Sequence, residues 1–267
     1  MVGRLTLWSL ALTACSLTAL DGLSGGSPSS LTDAGAADGA APDGAPTLAL
    51  TDAAASPNDA GPATACPADA VCSSFDEGTI ERGFQLVAGE GSIGTGTGRS
   101  PPSAALFVLP NAGATSSTGH WLQRSFTGTF STVTCTFAAA LDEIPANGAV
   151  DIAGLGVETP FADDFGLRVY SDQFALISCR ESSDCRPEVN AGGLPPTGEY
   201  HVYSLELAAG GTVAFSLDGA ARATIATKTP LTSAANAYAA LGAIYRPYGK
   251  GGSYRFRIDD VACVRAP

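Results

Sequence analysis

Between positions 66 and 267, hydrophobic and polar residues alternate in short runs separated by glycine, proline, asparagine and aspartate. Period-two alternation of this kind is typical of β-strands with one buried face. Clear runs are Val133–Phe137, Gly166–Tyr170 and Gln173–Ser178. Because Ser171-Asp172 separates the last two runs, they predict a hairpin closed by a tight turn.

The same alternation continues to the end of the chain. Further runs are Tyr200–Leu207, Val213–Leu217, Arg222–Ile225, Tyr238–Tyr245 and Tyr254–Val264. Asp218-Gly219 predicts a turn after the second of these runs. Asp259-Asp260 interrupts the final run and predicts a β-bulge, where the side chains change face. About twelve such strands and no convincing amphipathic helix predict an all-β domain built as a two-sheet antiparallel sandwich.

Three segments resemble laminin G-like domains, which share the concanavalin A-type jelly roll. Glu199–Leu207, followed by a strand that closes in Asp218-Gly219, resembles their hallmark hairpin. Phe256–Val261 resembles their closing strand, and Phe75–Gly78 resembles the opening strand that pairs with it. The resemblance implies a jelly roll over residues 66–267. Since such domains occur in carbohydrate-binding modules, adhesins and glycoside hydrolases, the fold alone does not decide function.

The N-terminus has the features of an export signal. Met1–Arg4 carries one positive charge, and Leu5–Ala14 is an apolar stretch too short to span a bilayer. Leu12-Thr-Ala-Cys15 resembles the bacterial lipoprotein signal, in which the cysteine is acylated and becomes the new N-terminus. That resemblance implies a signal peptide over residues 1–14, a lipid anchor at Cys15 and, with Ser16 following, sorting to the outer membrane. The alternative is an ordinary secretory signal with a chance cysteine.

Residues 15–65 are predicted to be a disordered tether. Ala, Gly, Ser, Thr, Pro and Asp dominate this segment, which has no lysine, arginine or aromatic residue. Such a composition buries too little apolar surface to offset its conformational entropy. The whole chain has 14 Lys+Arg against 26 Asp+Glu and a net charge of -12. This acidic balance argues against a nucleic-acid partner, which requires a basic face.

Six cysteines lie in the β-rich region and predict three disulfides in an oxidising compartment. The close pairs Cys66/Cys72 and Cys179/Cys185 suit local bridges. Cys135 and Cys263 then remain. In laminin G-like topology the strand holding Cys135 would lie beside the last strand, which implies a cross-strand bridge. The competing pairing joins Cys72 to Cys263.

Four carboxylates are expected to converge if the first and last strands pair. These are Asp76, Glu77, Asp259 and Asp260. Related jelly rolls often hold a structural calcium ion between these strands, and hard oxygen ligands suit that cation. The alternative is that Asp259 and Asp260 only shape the bulge and cap backbone amides. A second acidic run, which ends in Asp163-Asp164, suits a solvated loop better than a calcium site.

The segment between the last two predicted strands is the candidate ligand surface. It contains Tyr245, Arg246, Tyr248, Lys250 and Tyr254. Aromatic faces can stack on sugar rings, and cationic donors can hold hydroxyl or carboxylate groups. These residue types favour binding of a glycan or another surface polymer. The alternative is a hairpin loop whose tyrosines cover the sheet edge.

Catalysis is not supported by any motif in the sequence. Glycoside hydrolysis needs two carboxylates at a fixed separation, and the strand spacings used by hydrolases of this fold are absent. The chain has 2 His, and no nucleophile elbow accompanies either of them. The sequence therefore predicts a binding protein rather than an enzyme, with a structural lipoprotein or an unusual hydrolase as alternatives.

Overall fold

A computed structural model describes the β-rich part of the chain. The described residues are 66, 70–76, 83–89, 91–110, 117–158, 163–180, 184–226, 236–246 and 252–267. The predicted signal peptide, the predicted lipid anchor at Cys15 and the predicted tether lie outside them. Among the described residues, no helix is long and apolar enough to cross a membrane.

The described residues form sixteen β-strands and no helix. In chain order the strands are β1 (Ala70–Ser73), β2 (Gln85–Val87), β3 (Ser92–Gly96), β4 (Ala104–Leu109), β5 (Ser117–Thr118), β6 (Trp121–Phe126), β7 (Thr132–Glu143), β8 (Val150–Glu158), β9 (Asp163–Val169), β10 (Gln173–Arg180), β11 (Asp184–Gly193), β12 (Tyr200–Ala208), β13 (Thr212–Leu217), β14 (Ala220–Ala226), β15 (Asn236–Arg246) and β16 (Tyr254–Ala266). The predicted all-β class is confirmed. More strands are present than the alternation predicts because several edge strands are short.

Two antiparallel sheets of eight strands each make up the sandwich. Sheet A has the order β14-β13-β12-β7-β16-β4-β3, with β1 pairing to the second half of β16. Sheet B has the order β11-β10-β9-β8-β15-β6-β2, with β5 pairing to β15. In each order three neighbouring pairs are consecutive in sequence and three are distant, a mixture of hairpins and crossovers that is expected of a jelly roll.

The core lies between the sheets, where alternate side chains of both meet. Tyr203 of β12 stacks on Phe137 of β7 with ring centroids 5.3 Å apart. Phe174 of β10, in sheet B, meets the edges of Tyr203 and Phe215 at 5.8 and 5.6 Å. These edge-to-face contacts join the two sheets through large buried side chains, whose burial contributes to hydrophobic stabilisation.

Several local predictions are confirmed. The β9–β10 hairpin turns at Ser171-Asp172, and Asp218-Gly219 joins β13 to β14. The register of β16 against β7 shifts between Asp259 and Ala262, and Asp260 has a φ of 47°. A bulge therefore lies where the aspartate pair predicts it.

The predicted opening strand is wrong in position. β1 ends at Ser73, and Phe75 follows it with a φ of 58°. A residue in the left-handed region cannot continue an extended strand. Instead Phe75 turns its side chain into the core, where it is 3% exposed.

Disulfides join Cys66 to Cys72 and Cys135 to Cys263. The second bridge links directly paired positions of β7 and β16, and the competing Cys72–Cys263 pairing is not formed. Cys179 is also disulfide-bonded, and Cys185 is its register partner on β11. Because disulfides persist in oxidising compartments, these bridges indicate an exported protein.

Candidate functional site

Glycines form the floor of a groove on the face of sheet B that points away from the core. Gly154 of β8 pairs with Gly166 of β9, and Gly156 lies two residues further along β8. Since glycine carries no side chain, side chains of neighbouring strands lie over these positions. A Cβ at Gly166 would come within 3.1 Å of Ile177, and one at Gly156 would collide with the ring of Tyr238.

The groove has a volume of about 290 Å³. Its walls include Trp121 from β6, Tyr238 and Ile244 from β15, and Ile177 from β10. Small-molecule sites typically have volumes of about 300 to 1,000 Å³, with apolar walls and a few polar groups. The groove lies near the lower limit of that range, which suits one ring-sized group rather than a large ligand.

A buried ion pair borders the groove. Arg168 of β9 donates from Nε to Asp151 Oδ1 at 2.6 Å and from Nη2 to Asp151 Oδ2 at 3.0 Å. Arg168 is 2% exposed and Asp151 is 5% exposed. Burial raises the pKa of the Asp151 carboxyl, an effect that the hydrogen bonds and charge of Arg168 oppose. Burial lowers the pKa of the Arg168 guanidinium, but the hydrogen bonds to Asp151 outweigh this and leave it raised.

The polar network continues onto β11. Nη1 of Arg168 lies 3.8 Å from Oε2 of Glu188, whose side chain is 35% exposed. The Tyr170 hydroxyl donates to Oε1 of Glu188 at 2.6 Å. Burial and the hydrogen bond to Glu188 raise the pKa of Tyr170 to about 12. The phenol therefore stays protonated at neutral pH and acts as a hydrogen-bond donor.

A second polar contact crosses the opposite wall. The Tyr238 hydroxyl donates to Oδ1 of Asp164, and both side chains line the groove. Gly156 lies between them in register, paired with Tyr238 on one side and Asp164 on the other. The absence of a side chain at Gly156 is what allows the Tyr238 ring to reach across β8 to β9.

The predicted tyrosine loop is only partly described. The side chains of Tyr245 and Arg246, and the residues Tyr248 and Lys250, lie outside the described part of the chain. Tyr254 is 2% exposed and belongs to the core. Its predicted role in ligand stacking is wrong, because it occupies an inward-facing position at the start of β16.

Three of the four predicted calcium carboxylates, those of Asp76, Asp259 and Asp260, contact one short segment, residues 99–103. Asp259 Oδ2 accepts hydrogen bonds from the backbone N–H groups of Arg99 and Ser100 at 2.8 and 3.1 Å. Asp76 Oδ1 accepts from the backbone N–H of Ser103 at 3.1 Å, and Asp260 Oδ1 accepts from the Ser100 hydroxyl at 2.6 Å. These oxygens face N–H and O–H donors, an arrangement that fits a hydrogen-bonded clamp better than a calcium ion.

No group of three or more His, Cys, Asp or Glu side chains is placed to share a metal ion among the described residues. Glu77 lies outside them. Burial raises the pKa of Asp259 to about 6. Its carboxylate is fully buried and depends on the surrounding backbone amides for its solvation.

Sequence reasoning missed most of the groove residues. Asp151 and Arg168 are charged residues inside otherwise apolar strands, and this signal is visible in the sequence. An internal charge in such a strand requires a partner, so each could have been marked as one half of a buried pair. The contribution of Trp121 could not be anticipated, because it depends on the pairing of β6 with β15.

No family model matches the chain, and no curated protein matches it. Among solved structures, the chain is similar to the cellulose-induced protein Cip1, with 15% identity, a TM-score of 0.52 and coverage of 73% of this chain and 96% of that one. It is also similar to a variant of the family 7 alginate lyase A1-II′ in complex with substrate, with 12% identity, a TM-score of 0.55 and coverage of 73% and 97%. These similarities support the fold seen here, a two-sheet antiparallel jelly-roll sandwich.

Proposed function

We propose that the jelly roll over residues 66–267 binds a glycan, or another surface polymer, in the groove of sheet B. The observation that carries this proposal is the combination of Trp121 and Tyr238 with a glycine floor and bordering carboxylates. Aromatic faces offer apolar contact to the C–H face of a sugar ring, and carboxylates accept hydrogen bonds from its hydroxyls. The fold similarity to an alginate lyase bound to its substrate supports a polysaccharide ligand by analogy only.

Polysaccharide cleavage is the second candidate function. The observation in its favour is the 2.6 Å contact between Tyr170 and Glu188 beside the groove, since a tyrosine next to a carboxylate can take part in proton transfer. Two features argue against it. The pKa of Tyr170 is raised to about 12, which disfavours a role as base near neutral pH. The neighbouring Arg168 already donates two hydrogen bonds to Asp151, so it is not placed to stabilise charge on a substrate.

The binding test uses the full chain, purified in detergent, against a panel of immobilised polysaccharides. Binding should be detected, and Trp121→Ala should weaken it by at least about tenfold, or about 1.4 kcal/mol. Leu86→Ala is the matched control, because Leu86 is a large exposed side chain of the same sheet outside the groove. Absence of binding across the panel would favour the structural lipoprotein. Release of shortened products would favour the enzyme.

We further propose that Cys15 is acylated and anchors the domain to the cell envelope, at the outer membrane. Two acyl chains give stable anchoring, since each buried methylene contributes about 0.8 kcal/mol. The variant Cys15→Ser should move from the membrane fraction to the soluble fraction. A variant still cleaved after Ala14 and still bound to membranes would contradict the anchor.

A structural calcium ion beside Asp76, Glu77, Asp259 and Asp260 stays a prediction. The test is the melting temperature of the full chain with added calcium and with a chelator. A rise of several degrees with calcium would support the site. Equal melting temperatures would favour the hydrogen-bonded clamp.

A further inference from the structure

We propose that the groove selects its ligand by charge, accepting neutral or amine-bearing glycans and rejecting those that carry carboxylate or sulfate groups. This inference rests on the proposed function and concerns the same groove. It names the chemical class of the ligand, which follows from the charges that surround the site.

Among the described side chains, carboxylates dominate the polar groups around the groove. Asp151 and Asp164 line it. Glu188 is the cross-strand partner of the wall residue Ile177, and its side chain is 35% exposed. Two of these three carboxylates, those of Asp164 and Glu188, accept a tyrosine hydroxyl, which holds them at the groove.

The guanidinium of Arg168 does not offset this negative character for a ligand. It is 2% exposed, and two of its nitrogens donate to Asp151. Its third nitrogen, Nη1, faces Glu188 at 3.8 Å. A carboxylate on a sugar could reach the cation only by displacing Asp151, which would leave that buried carboxylate without its counter-ion, or by competing with Glu188 for Nη1.

Hydroxyl and ammonium groups of a ligand, unlike carboxylates, interact favourably with these acidic side chains. Both donate hydrogen bonds, and an ammonium group also gains from the charge of Glu188 and Asp164. The partly enclosed groove weakens solvent screening, which strengthens attraction and repulsion alike. The net charge of -12 adds a long-range repulsion of anionic polymers that fades as salt rises.

The test compares three oligosaccharides of equal length and the same β-1,4 linkage: a glucose oligomer, a glucosamine oligomer and a mannuronate oligomer. Binding to the full chain is measured by calorimetry at ionic strengths of about 0.01 M and about 1 M. At low salt, the amine-bearing and neutral oligomers should bind at least about tenfold more tightly than the uronate. The preference for the amine over the neutral oligomer should shrink at high salt.

Two variants localise the effect. Glu188→Gln keeps a hydrogen-bond acceptor for Tyr170 but removes the charge, so it should reduce the discrimination against the uronate several-fold. Glu206→Gln is the matched control, because Glu206 is an exposed glutamate on β12 of the other sheet. It should leave the discrimination unchanged.

The outcomes separate this inference from the proposed function. If the uronate binds as tightly as the neutral oligomer, and Trp121→Ala still weakens binding of both, the charge selection is wrong while the glycan site stands. If Trp121→Ala affects none of the oligomers, or if none of them binds, the proposed site fails and the inference fails with it.

Discussion

Polar side chains of the two sheets differ in the parts of the chain to which they bond. In sheet A, Arg257 donates from Nη1 to the carbonyl of Thr97 at 3.0 Å. Asp259 accepts from the backbone N–H groups of Arg99 and Ser100 at 2.8 and 3.1 Å. Both side chains reach from β16 to the connection between β3 and β4. These contacts therefore hold a loop against the sandwich.

Around the groove of sheet B, the polar side chains bond from strand to strand. Arg168 of β9 holds Asp151 of β8 and faces Glu188 of β11, while Tyr238 of β15 reaches Asp164 of β9. These contacts lie around a groove with a glycine floor and fix no loop. These contacts of sheet A therefore stabilise a loop, whereas those of sheet B border the groove that we propose as the ligand site.

The largest expected effect concerns the buried ion pair. Arg168→Met leaves the Asp151 carboxylate buried without its partner, which should destabilise the domain by about 3 to 5 kcal/mol. Arg124→Met, on an exposed arginine of the same sheet, should cost less than about 1 kcal/mol. Urea denaturation of both variants checks this. An equally small loss of unfolding free energy in both variants would contradict the expected penalty for leaving Asp151 buried without its partner.

The next-largest expected effect concerns the contacts of Arg257 in sheet A. Arg257 donates from Nη2 to Asp142 Oδ1 at 2.7 Å, and its guanidinium lies 5.0 Å from the centre of the Tyr200 ring. Arg257→Met should destabilise the domain by about 1 to 2 kcal/mol, because the side chain is partly solvated. Arg255→Met is the matched control on the same strand, since Arg255 is exposed. Glycan binding should be unchanged in both variants. Weaker binding in Arg257→Met would contradict the assignment of the binding site to sheet B.

A smaller effect concerns pH. Because burial raises the pKa of Asp259 to about 6 from a model-compound value of 3.8, the native state binds more protons than the unfolded state between these values. The contribution of this group to stability is therefore present below about pH 4 and is lost as the pH rises through about 6. The slope contributed by one proton is about 1.4 kcal/mol per pH unit at most.

Unfolding free energies measured from pH 4 to pH 7 test this sign. Asp259→Asn should flatten the fall in stability over this window, whereas Asp172→Asn, at an exposed turn position, should not. An unchanged slope in Asp259→Asn would show that the carboxyl titrates alike in the folded and unfolded states.

The fold could be predicted where its determinants are local. The β9–β10 hairpin follows from alternation around Ser171-Asp172, and the bulge in β16 follows from Asp259-Asp260, because turns and bulges depend on a few adjacent residues. β3 could not be predicted from its Gly-rich run Ser92–Gly96. Glycine disfavours strands, and pairing with β4 overrides that preference.

The candidate site could be predicted much less well, because it depends on long-range register. Gly154 and Gly166 form a floor only when β8 and β9 pair. Trp121 and Tyr238 become walls only because β6 and β15 lie side by side. The sequence instead predicted a ligand surface at the tyrosines near the C-terminus, but one of these, Tyr254, is a core residue. Residue type alone did not distinguish a stacking tyrosine from a packed one.

Hydrogen exchange with and without the tightest-binding glycan tests the central claim most directly, because it locates the ligand without a substitution. Saturating glycan should slow exchange in the strands that form the groove, chiefly Val150–Glu158 and Asn236–Arg246. Exchange in Thr212–Leu217 of sheet A should stay the same. The assignment of the groove in sheet B as the binding site would be contradicted if exchange slowed only in sheet A or only in residues 97–103.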